Sequence, residues 1–132
     1  MEKGKIRELV RAIGDPNPVY VDKAAATADG YKDVPASPTF LTVPSMWCNI
    51  LATVLLDASV NVAMILHGEE EYEYLQEIYP GDVLTGAPRL VAVEEKQSKS
   101  GRTMDMITIE TMYKNQRGEN VAKARSLIVE RK

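Results

Sequence analysis

Of the 132 residues, one is a histidine, His67, and one a cysteine, Cys48. A single imidazole argues against a His-based triad or metal site. A single thiol leaves no intramolecular disulfide and no Cys-rich zinc cluster. Asp15 stands in the segment Asp15-Pro16-Asn17-Pro18. Each proline fixes its own φ and pushes the residue before it into extended geometry, so Asp15 and Asn17 have little freedom. Tyr20 follows with a phenol, and Thr39 opens the most apolar part of the chain as a candidate helix cap. Each residue also has a structural explanation. Asp15 is an Asp before Pro in a turn, Asn17 bonds local backbone, Tyr20 packs with a satisfied hydroxyl, and His67 is a hydrogen-bonded structural histidine.

The elements that must position these residues follow from periodicity. Residues 2–13 read as a short helix with Ile6, Leu9, Val10 and Ile13 on one face and Gly14 as its stop. Asp22 caps a second short helix that Gly30 ends. Residues 39–58 are apolar nearly all round, which predicts one long helix buried at the centre of the fold. Pro44 fits if that helix starts near Thr39 or Phe40. From Asn61 onward the period falls to two. Leu66, Tyr72, Tyr74 and Ile78 share one face of a first strand, opposite Glu69, Glu71, Glu73 and Glu77. Residues 83–95, 104–114 and 121–129 give three more strands, with turns at Pro80-Gly81-Asp82, Ser98-Lys99-Ser100-Gly101 and Asn115-Gln116-Arg117-Gly118. Short turns between long strands imply antiparallel pairing. The expectation is an α+β domain, residues 1–132, in which a curved antiparallel sheet covers a central helix.

Composition narrows the function classes. Sixteen basic residues against 19 acidic ones give a net charge of −3, which argues against a nucleic-acid partner. The longest apolar run, residues 50–56, is far below the ~20 residues that span a bilayer. The charged amphipathic N-terminus is not a signal peptide. With its lone cysteine, the chain suits a reducing cytoplasm. No GxGxxG, Walker A, GxSxG or HExxH pattern occurs. Lys96, Lys99, Arg102 and Arg117 near the turns read as scattered surface charge or as attraction for a phosphorylated carrier.

Gly14-Asp15-Pro16-Asn17-Pro18-Val19-Tyr20-Val21-Asp22 resembles the signature of the MaoC-like (R)-specific enoyl hydratases and 3-hydroxyacyl dehydratases. That signature reads Gly-Asp-x-Asn-Pro-aliphatic-His-x-Asp. Val34-Pro35-Ala36-Ser37-Pro38-Thr39-Phe40 and Leu66-His67-Gly68-Glu69-Glu70-Glu71-Tyr72 are similar to the same family. More narrowly, they look like its N-terminal, partner-type dehydratase domain. The resemblance implies the hot-dog fold and a homodimer, or a heterodimer with a catalytic MaoC-like subunit. It also implies reversible hydration of a trans-2-enoyl thioester carried on coenzyme A or acyl carrier protein, with no cofactor or metal.

By the same resemblance, Asp15 takes the family's catalytic Asp position and Tyr20 that of its catalytic His. Asn17, Thr39, Phe40 and His67 are the substrate-contacting positions, with the Thr39 amide where a glycine N–H polarises the thioester carbonyl. A phenol is a poor substitute for imidazole. Reference pKa values of about 10 and about 6.5 differ by about 3.5 units, or roughly 4.8 kcal/mol against forming the base at neutral pH. The resemblance therefore implies a subunit with a degenerate site that lines the acyl tunnel of a heteromeric enzyme. Two other readings remain: a self-sufficient homodimer using Asp15 with His67, and a hot-dog thioesterase using Asp15 or Glu70.

Overall fold

The computed structural model describes residues 1–98 and 100–132; Lys99 lies outside the described residues. Helix α1, Lys3–Ala12, buries Ile6 and Val10 and ends before Gly14, whose φ of +72° suits glycine. Ile13, expected on the buried face, is past the last helical turn and exposed. A short 3₁₀ turn, Pro18–Tyr20, follows, and then α2, Lys23–Ala28, capped by Asp22.

The expected long central helix is two shorter ones: α3, Thr42–Trp47, and α4, Ile50–Asp57. The break falls at Cys48 and Asn49, where Asn49 takes a left-handed φ of 49°. Asparagine tolerates that region better than most residues. Pro44 sits in the first turn of α3, where its missing N–H costs no intrahelical bond. Thr39 does not cap the helix. The position before α3 is Leu41, without a side-chain cap, and Thr39 is an exposed turn residue whose carbonyl accepts from the Thr42 amide at 3.1 Å.

The sheet contains β1 (Ile65–Tyr74), β2 (Thr85–Gln97), β3 (Thr103–Lys114) and β4 (Asn120–Arg131), all paired antiparallel in the order β1-β4-β3-β2. Its helix-facing side carries Ile107, Ile109 and Tyr113 of β3 and Ala122, Ala124 and Ile128 of β4, all buried. Helix α4 packs Leu51, Val54 and Leu55 on the isoleucines. Leu41 and Ile50 cover the other end, where small Ala122 and Ala124 let the chain approach closely. In β4 the alternation thus buries Ala122 to Ile128, while Leu127 and Val129 are half-buried on the reverse face.

Two bulges shift the expected phase. One falls between His67 and Glu69 in β1, the other between Leu90 and Ala92 in β2. The first separates Leu66, half exposed, from the helix-facing Tyr72 and Tyr74. Ile78 is buried but lies beyond the end of β1, and Val83 precedes the start of β2. The helices leave Met46, Trp47 and Leu56 exposed at 70%, 68% and 64%, so one chain does not bury the apolar circumference that predicted a central helix.

Candidate functional site

The proline-rich loop leaves α1 with the Asp15 amide bonded to the Val10 carbonyl at 3.0 Å. Its two polar side chains turn back on the loop. Asp15 Oδ1 accepts the Asn17 amide at 2.9 Å, and Asn17 Oδ1 accepts the Val19 amide at 3.1 Å, capping the 3₁₀ turn. These bonds favour local backbone over a ligand. Tyr20, at the end of that turn, is half-buried against Val10, Val34 and Phe40. Burial raises its pKa above the ordinary phenol value, and the charges of Asp15 and Glu77 raise it further. A phenol raised in this way keeps its proton near neutral pH and does not act as a base. With Tyr31, Pro35, Pro38, Tyr74 and Glu77 it lines a cavity of about 150 Å³.

The loop entering α3 is fixed from the sheet by hydroxyls. The Tyr74 hydroxyl donates to the Pro38 carbonyl at 2.8 Å, and Tyr72 bonds Thr42 Oγ1 at 2.7 Å. Burial pushes the Tyr113 phenol up to about 12 and raises Tyr72 and Tyr74 as well. A tyrosine from β1 therefore holds the Pro38–Thr39 peptide by its carbonyl, on the side away from the Thr39 amide. Phe40 points into the core beside Ile6 and Val10 and is buried, away from any ligand position.

His67 lies elsewhere. It is at the rim of a groove of about 590 Å³ between α3, α4 and the sheet, lined by Met46, Leu51, Leu55, Val62 and Ile128 among others. Its Nε2 is 3.0 Å from Glu70 Oε2. Asp15 and His67 are thus at different places in the chain, one beside Tyr20 and the other beside α4. Among the described residues, no cluster of His, Cys, Asp and Glu could hold a metal ion.

Comparison with known proteins gives the family and the fold. A model of the FAS1-like dehydratase domain region matches residues 1–124. The chain belongs to that dehydratase family. The UPF0336 protein of Thermobifida fusca is 33% identical over 127 residues, covering 96% of this chain and 80% of the relative. A MaoC-like dehydratase structure, 31% identical, has a TM-score of 0.82 over 98% of this chain and 38% of its own length. One chain of the ChsH1–ChsH2 complex from Mycobacterium tuberculosis is 25% identical, with a TM-score of 0.77 over 98% of this chain and 78% of that one. The α+β architecture is therefore the hot-dog fold of these dehydratases. No helix among the described residues is long and apolar enough to cross a membrane.

Tyr72 and Tyr74 hold positions that the sequence motifs did not single out; they read as one face of a strand, whereas Glu70 was named only as a thioesterase carboxylate and not as a partner of His67. The available signal was Gly68, since a glycine inside a strand pattern marks a bulge that re-aims its neighbours.

Proposed function

We propose that this chain is the substrate-binding, non-catalytic subunit of a heteromeric hydratase/dehydratase that interconverts trans-2-enoyl and 3-hydroxyacyl thioesters. The observation that carries this reading is Tyr20, a phenol at the family's histidine position with its pKa raised by burial and by Asp15 and Glu77. Water addition needs a base near neutral pH, which such a phenol does not provide. Asp15 and Asn17 support the same conclusion, because both are engaged with their own loop.

The apolar groove has room for an acyl chain: about 590 Å³ falls within the ~300–1,000 Å³ range of ligand sites. The thioester is carried on coenzyme A or acyl carrier protein and needs no metal, because the carrier supplies the activated carbonyl. The catalytic base comes from a second hot-dog chain in a dimer. The exposed Met46, Trp47 and Leu56 are apolar surface suited to that contact. A two-chain assembly accords with the likeness to one chain of the ChsH1–ChsH2 complex, and the lone cysteine suits a reducing cytoplasm.

The test is binding without turnover. An unreactive acyl thioether of coenzyme A should bind the isolated chain, while the matching enoyl thioester keeps its enone absorbance. Release of free thiol from an acyl thioester would instead identify a thioesterase.

A further inference from the structure

His67 and Glu70 face the same side of β1 only because the strand is irregular between them. In a regular strand, residues three apart point to opposite faces. Here His67 pairs with Ile128 and Glu69 with Leu127, so Gly68 is the additional residue and both side chains turn toward the helices. Glycine suits that position, because a Cβ there would stand 3.0 Å from the Leu127 carbonyl oxygen and 3.3 Å from the Leu127 and Val129 side chains. The bulge brings the imidazole to Glu70 at 3.0 Å. Glu70 and Tyr72, two residues apart, share that face of the strand, and Thr42 holds the Tyr72 hydroxyl at 2.7 Å.

The Glu70 carboxylate sets the tautomer of the neutral ring. A carboxylate only accepts, so the nitrogen facing it, Nε2, carries the proton. Nδ1 is then left as an acceptor at the rim of a groove whose lining is mostly aliphatic. We propose that the His67–Glu70 pair recognises the alcohol of a 3-hydroxyacyl thioester, so that the groove binds this species in preference to the trans-2-enoyl thioester. The 3-hydroxyacyl chain brings one O–H donor to this region, and the enoyl chain brings none. Against the enoyl chain, Nδ1 loses water without gaining a partner. Glu70 is a positioning residue that acts through the ring. The inference rests on the reading of this chain as an acyl-thioester binder.

Calorimetry with the intact chain tests it, using unreactive coenzyme A thioethers of equal length with and without a 3-hydroxyl group. One neutral hydrogen bond at a partly exposed site corresponds to a preference of about five-fold for the hydroxylated analogue. H67F keeps a ring of similar size and removes both nitrogens. It should weaken the hydroxylated analogue to the level of the plain one and leave the plain one unchanged. E70Q, which lets the ring take either tautomer, should reduce the preference with the imidazole still present. Equal affinities in the unmodified chain, or a preference that survives H67F, overturn the inference and leave the acyl-binding reading intact. Failure of both analogues to bind overturns the two together.

Discussion

The Tyr74 hydroxyl, projecting from the last residue of β1, donates to the Pro38 carbonyl at 2.8 Å and closes the loop that leads into α3. This one bond joins the sheet to the segment that precedes the helices. It holds the Pro38–Thr39 peptide by its carbonyl and not by the Thr39 amide. Tyr74→Phe should cost about 1 kcal/mol of stability, the usual net contribution of one hydrogen bond. Urea unfolding measures that loss, and the variant should gain no hydration activity, because Tyr20 still supplies no base.

Alkaline pH should destabilise the fold by a defined route. Tyr20, Tyr72, Tyr74, Tyr79 and Tyr113 all have pKa values raised above 10.0, with burial the largest cause in each. Above pH 10 the unfolded chain releases phenolic protons that the native chain retains. The unfolded state then binds fewer protons, so stability falls as pH rises. The tyrosine contribution is whole below about pH 10 and is lost as pH climbs through the folded values, about 12 for Tyr113. Urea midpoints measured from pH 8 to pH 12 should drop steeply past pH 10, and Tyr113→Phe should flatten that drop.

The strands were legible because alternation and the turn residues Pro80, Gly81, Gly101 and Gly118 mark them directly. Their pairing order was not, since β1 joins β4 across most of the remaining chain. The helix break was hidden because every residue near Cys48 and Asn49 suits a helix well enough, and only the backbone at Asn49 turns left-handed. For the site, the motif pointed to the loop of Asp15, Asn17 and Tyr20. The sequence left local bonding and ligand contact both open for Asp15 and Asn17, because Asx bonding and ligand binding use the same atoms; in the structure both side chains bond their own loop. Phe40 turned into the core and Thr39 stayed an exposed turn residue because α3 begins only at Thr42, two residues after Phe40 and three after Thr39.

Gly68→Ala tests the bulge. The added Cβ presses on the Leu127 carbonyl, a backbone atom that cannot swing away as a side chain can. Overpacking of this kind costs about 1–3 kcal/mol. Thermal unfolding should show a loss in that range, and the NMR signals of the His67 ring should shift as the ring leaves Glu70.

Met46 is 70% exposed on α3 and lines the groove. A charge there costs the folded chain little but opposes burial against another chain. Sedimentation velocity should find the unmodified chain as a dimer at micromolar concentration and Met46→Glu shifted to monomer, with an unchanged circular dichroism spectrum. A monomeric unmodified chain that also fails to associate with any catalytic hot-dog chain would remove the assembly from the account.

The most direct measurement follows enoyl-thioester hydration at the enone absorbance, with short and long acyl substrates, for the purified chain and for Asp15→Asn. The account predicts no turnover by either protein alone. It predicts turnover when a MaoC-like chain that keeps histidine at the position of Tyr20 and pairs with this one is added. Hydration by the isolated chain, abolished by Asp15→Asn, would contradict it and return the catalytic role to this subunit.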